Sequence, residues 1–149
     1  MKRREAMAGS GAFLLAALGT ATVANAKNHE HDHAHMHGNT PNQALIAATS
    51  DCVIKSEACL AHCLVLLGEG DKAMAACAKS VSEVLAICGA LQSLAAQQSS
   101  LLPAMAKVAL EACQRCEKEC RLHEKKHAPC KACAESCAEC AKQCKQLIS

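Results

Sequence analysis

Cys130-Lys131-Ala132-Cys133-Ala134-Glu135-Ser136-Cys137-Ala138-Glu139-Cys140-Ala141-Lys142-Gln143-Cys144 decides the fold. Its cysteines recur in alternating steps of three and four, an average of about 3.5 residues, so on an α-helix all five thiols point to one side. Cys113, Cys116 and Cys120 repeat the spacing upstream. Cys52, Cys59 and Cys63 form a looser set, with Cys77 and Cys88 between. Cysteine stands where a helical bundle ordinarily places leucine, and the core becomes a column of soft sulfur ligands.

The rest of the chain divides around these runs. Asn42 to Leu67 has helical patterning, with Leu45, Ala48, Cys52, Lys55 or Ser56, Cys59 and His62 or Cys63 as the inward stripe. Thr40 or Asn42 is the expected start. Gly68-Glu69-Gly70-Asp71 closes this helix and caps the next. A second helix is expected over Lys72–Gln97, with Met74, Cys77, Val81, Val84, Cys88, Leu91 and Ala95 inward. Ser100 is the expected cap of a third helix, with Pro103 in its first turn. This helix runs to Lys125 on a stripe of Leu102, Ala106, Ala109, Cys113, Cys116, Cys120 and His123. Pro129 opens the fourth, which carries the five-cysteine run and Leu147. Four amphipathic segments with short turns predict an all-α, antiparallel, up-down-up-down four-helix bundle with inward-facing cysteines over residues 42–149.

Residues 1–26 have the pattern of an export signal. Lys2-Arg3-Arg4 is basic, Gly11 to Ala24 is moderately apolar and too short to span a bilayer permanently, and Ala24-Asn25-Ala26 suits cleavage. The Arg3-Arg4 pair resembles the twin-arginine signal, whose pathway moves folded proteins, although Ala6 stands where that motif prefers a large apolar residue. Periplasmic residence and no stable membrane insertion are the expectation. Residues 27–41 form a polar linker with His29, His31, His33, His35 and His37. Cleavage after Ala26 would start the chain at Lys27-Asn28-His29, whose amine, amides and imidazole suit Cu(II) or Ni(II). Lys2, Arg3, Arg4 and Glu5 account for the whole formal charge of +2, leaving residues 27–149 balanced. Nucleic-acid binding, which needs a basic footprint, is not expected.

Thirteen cysteines in an exported chain ordinarily suggest disulfides. An odd number leaves one unpaired, and neighbours on one helix have diverging Cβ vectors that rarely meet disulfide geometry. Small-hydrophobe packing explains one or two buried cysteines, not thirteen on one interior. Ligation explains them better. Soft thiolates select Cu(I), zinc or iron–sulfur clusters. Zinc takes four ligands per ion with few left over, and the loop spacings of iron–sulfur sites are absent. A continuous column suits Cu(I), held by two or three thiolates with bridging between ions. Multiple Cu(I) ions per chain are expected, on the order of one per cysteine. All thirteen cysteines are candidate ligands: Cys52, Cys59, Cys63, Cys77, Cys88, Cys113, Cys116, Cys120, Cys130, Cys133, Cys137, Cys140 and Cys144. His62 and Met74, near the first hairpin, join them as candidates for the mouth of the column, with His123 and His127 at the same end.

The signal-like segment, the His-bearing linker and above all Cys113-x-x-Cys116-x-x-x-Cys120 followed by Cys130-x-x-Cys133-x-x-x-Cys137-x-x-Cys140-x-x-x-Cys144 resemble the exported copper storage proteins of bacteria. The resemblance implies a non-catalytic bundle filled with Cu(I), assembled as a homotetramer, holding copper for copper enzymes or chaperones. Two other readings remain open: zinc or heavy-metal detoxification, and a thiol redox or copper-transferring enzyme. A thioredoxin-like centre lacks the strand-helix context that its Cys-x-x-Cys pair needs.

Overall fold

The computed structural model describes residues 41–149. The expected signal segment and nearly all of the His-bearing linker lie outside the described residues. Four helices make the fold: α1 (Gln43–Gly68), α2 (Ala75–Ala96), α3 (Leu102–Arg121) and α4 (Ala128–Ile148). Each packs on its two neighbours in a ring, α1 on α2, α2 on α3, α3 on α4 and α4 on α1. The bundle is the one the cysteine spacing predicts.

Turn chemistry sets the boundaries. At the end of α1, Asp71 N–H bonds to Leu66 O and Gly70 N–H to Leu67 O. Gly70 has φ 96, the left-handed conformation this reversal needs. Asp71 Oδ1 then accepts from Ala73 N at 3.1 Å and caps a single 3-10 turn, Lys72–Met74, which leads into α2. Met74 thus sits in that turn and not in α2 itself. The end of α2 repeats the closure with Ser99 N–H on Leu94 O and Gln98 N–H on Ala95 O, but here Gln98 takes the left-handed position with φ 52.

Three boundary expectations shift. Asn42 precedes α1 in a left-handed conformation and makes no side-chain cap; its Nδ2 donates to Ala95 O at 3.4 Å and ties α1 to the end of α2. Ser99, not Ser100, accepts from Leu101 N before α3. The third helix stops at Arg121, so His123 belongs to the turn before α4. Pro103 and Pro129 stand in the first turns of α3 and α4, where a missing N–H costs no intrahelical bond.

The core has two chemistries. Leu45, Leu91, Ala95, Leu102 and Ala106 are buried apolar residues of one end. The remaining length is lined by sulfur, all thirteen cysteines having no exposed surface. Of the two α1 alternatives at mid-height, Ser56 is fully buried, whereas Lys55 is part-exposed and lies 4.0 Å from Asp51 along the helix surface. Burial of an ammonium among thiols would cost several kcal/mol, roughly, without a paired charge. Lys72–Ala96 is long and apolar enough to cross a membrane, but its Cys77, Val81, Val84, Cys88 and Leu91 stripe is buried in the bundle.

Candidate metal centre

The sulfurs form one connected network. Cys88 Sγ lies 3.7 Å from Cys113, 3.9 Å from Cys52 and 3.9 Å from Cys140. These four, one from each helix, have all Sγ atoms within 4.8 Å of one another. Cys59, Cys63, Cys77 and Cys130 form a second such group, with Cys59–Cys130 and Cys63–Cys77 each at 3.8 Å. Between the two groups, thiols come mainly from α3 and α4. Cys116, Cys133 and Cys137 make one triad, and Cys59, Cys120 and Cys133 another. Contacts of 3.7 Å from Cys52 to Cys137 and 3.5 Å from Cys77 to Cys120 join the triads to the four-sulfur groups. Cys144 lies one turn beyond Cys140 on the same buried face.

None of these pairs is a disulfide, and all thirteen cysteines are free. A metal–thiolate bond is about 2.3 Å, so an ion shared by two thiolates spans about 3.8–4.6 Å between sulfurs, depending on the angle. Separations of 3.5 to 3.9 Å are therefore close to ligating geometry before any ion arrives. The helical register supplies this preorganisation.

Proton affinity varies along the column. Burial, reinforced by charge on Cys77, pushes Cys63 up to about 12 and Cys130 up to about 11. Hydrogen bonds from Cys120 and Cys59 draw Cys77 below the ordinary thiol range. Cys133 is lowered by bonds from Cys116 and Cys120, and Cys52 by bonds from Cys113 and Cys137. Among the donors to these lowered thiols, Cys59, Cys113, Cys120 and Cys137 are themselves raised and hold their protons. Metal binding must displace those protons, because the thiolate is the ligand.

At the hairpin end, His62 is part-buried and its Nε2 lies 2.9 Å from Nδ1 of His127. The ring centroid of His123 is 6.4 Å from that of His127. His62 belongs to none of the four sulfur groups, and Met74 is fully buried three residues before Cys77. Sequence reading placed His62 and His127 at one end but did not pair them. It also missed the role of Ser56, whose Oγ reaches Cys133 Sγ at 3.5 Å and Cys52 Sγ at 4.0 Å. The signal was present, since position 56 divides the Cys52–Cys59 heptad step.

A four-helix bundle whose interior is a continuous run of free, preorganised thiols defines a class: a polythiolate metal-binding bundle. Residues 38–149 match the family model of the copper storage proteins, and the chain belongs to that family. Two solved structures are similar to it. One is the apo form of copper storage protein 3 (Csp3) from Bacillus subtilis, 27% identical with a TM-score of 0.64, the match covering 72% of this chain and 99% of that one. The other is the Cu(I)-bound copper storage protein BsCsp3, 25% identical with a TM-score of 0.65, covering 72% and 98%. A comparison with curated proteins finds no match.

Proposed function

We propose that the bundle stores Cu(I), binding on the order of one ion per cysteine along its sulfur column. The observation that carries this reading is a charge balance. Among the described residues the buried polar side chains are Thr49, Ser56, Ser80 and Ser136, and none is a cation. Thirteen thiolates in such an interior need their charge neutralised by the cargo itself. One Cu(I) per thiolate does this. Zinc at four thiolates per ion leaves every site with a net charge of about −2. The Cu(I)-bound state of the BsCsp3 relative supports the same choice.

The ligands are the thirteen cysteines, with His62 and Met74 serving the mouth. The repetition of equivalent thiols favours a reservoir over a catalyst, which needs a distinct site with an open position. We propose in addition a homotetramer, as the resemblance to the copper storage proteins implies, with copper enzymes or copper chaperones as recipients. The Lys2 to Ala26 pattern supports export to the periplasm; N-terminal sequencing of exported protein beginning at Lys27 tests it. Detoxification of zinc is the competing role. Exposure of the reduced protein to equimolar Cu(I) and Zn(II) without oxygen, followed by metal analysis, separates the two. Storage predicts copper-filled, nearly zinc-free protein. Retained zinc at two or three ions per chain would support the competitor.

A further inference from the structure

Ser56 is the one fully buried hydroxyl on α1 that lies among sulfurs. The other buried hydroxyls donate to carbonyls of their own helices: Thr49 to Leu45 and Ile46, Ser80 to Cys77, and Ser136 to Cys133. Those are the usual partners of Ser and Thr within helices. Ser56 Oγ instead has the thiols of Cys133 and Cys52 as its hydrogen-bond partners, across and along the column.

Its height matters. Antiparallel contacts Cys52–Cys88 and Cys63–Cys77 fix the register of α1 against α2, and that register sets Val84 opposite Ser56. At this level α1 and α2 contribute a hydroxyl and a valine. Thiols come from α3 and α4, with Cys116 and Cys133 3.9 Å apart. The column thus draws thiols from all four helices at Cys52, Cys88, Cys113 and Cys140, and its ligand supply narrows to the thiols of α3 and α4 beside Ser56.

We propose that Ser56 is a positioning residue for release: its hydroxyl donates to the Cys133 thiolate at this narrowing and makes the ions there the first to leave. A thiolate bound to copper carries less charge than a bare one and accepts a weaker hydrogen bond. The donor therefore favours the copper-free sulfur. The ions beside it also have fewer bridging thiolates than those in the four-sulfur groups. This inference rests on the Cu(I) storage reading.

The test is removal of Cu(I) from fully loaded protein by bathocuproine disulfonate without oxygen, followed by the colour of the chelate. The unmodified protein should show a fast minor phase and a slow major one. Ser56→Ala should keep the capacity and slow the fast phase by roughly threefold to tenfold, a fraction of what one hydrogen bond to a charged group can supply. Ser56→Thr, which keeps the hydroxyl, should retain the fast phase. Ser56→Cys should add about one ion to the capacity and abolish that phase. Unchanged kinetics in Ser56→Ala, or equal slowing in Ser56→Thr, would overturn the proposal. If the unmodified protein holds only a few ions, the storage reading itself falls, and this role falls with it.

Discussion

His62 Nε2 and His127 Nδ1 lie 2.9 Å apart and close the hairpin end of the bundle. One ring must present N–H and the other a lone pair. His62 immediately precedes Cys63, and His127 stands one turn before Cys130, so each imidazole adjoins in sequence a cysteine of the second four-sulfur group. The opposite end offers leucine and alanine. Among the described residues, imidazoles stand at the hairpin end alone. The double variant His62→Ala, His127→Ala should slow Cu(I) uptake severalfold while the final capacity stays unchanged. Stopped-flow absorbance of thiolate-to-copper charge transfer measures this. Unaltered uptake would place the mouth elsewhere.

Capacity should follow the sulfur. Cys133 and Cys137 share one triad, Cys133 also belongs to the other, Cys140 belongs to the first four-sulfur group, and all three are buried on α4. Replacing all three with alanine removes ligands and no helix-forming residue, since alanine is the best helix former. Capacity should fall by several ions, with the far-ultraviolet circular dichroism of the apo protein preserved. Equal capacity would mean that these thiols are packing residues.

Stability should follow the apolar end. Leu91 has no exposed surface and belongs to the core beside Leu45 and Ala95. Leu91→Ala leaves a cavity and should destabilise the apo bundle by about 2–5 kcal/mol in chemical denaturation. Copper capacity should not change, because no sulfur is lost. A large drop in capacity would show that the two ends of the core are not separate in function.

The bundle was legible because cysteine, like leucine, marks the buried face through its period. The stripes of α2 and α3 are buried as read, from Cys77 to Ala95 and from Leu102 to Cys120. Legibility failed where the backbone, not the pattern, decides. Gln98 in a left-handed conformation carries no sequence mark, unlike Gly70. Ser99 and Ser100 are equally good caps by type, and only hydrogen bonding selects Ser99. Lys55 and Ser56 were equivalent by spacing, and desolvation of the ammonium separates them. The His62–His127 pair joins residues 65 apart in sequence, a contact that no local period encodes.

Alkaline pH should weaken the apo protein. Cys63 and Cys130 rise from an ordinary value of 9.0 to about 12 and about 11. Below pH 9 these groups are protonated folded and unfolded, and their contribution is fully present. Between pH 9 and 11–12 the unfolded chain gives up protons that the folded chain keeps, so stability falls as pH rises. Cys52, Cys77 and Cys133, which are lowered, are ionised in both states there and add no slope. The apo melting temperature should drop across that window, and the Cu(I)-loaded protein, lacking thiol protons, should drop less. Parallel curves would contradict this account of the thiols.

On the storage reading, the thirteen buried thiols form one reservoir for a univalent ion. Anaerobic titration of the fully reduced protein with Cu(I), against a competing chelator, counts the ions directly. Saturation is expected near one ion per cysteine, about thirteen per chain, with the helices formed before the first addition. Saturation at two or three ions would contradict it and point to closed tetrathiolate sites of the kind zinc prefers.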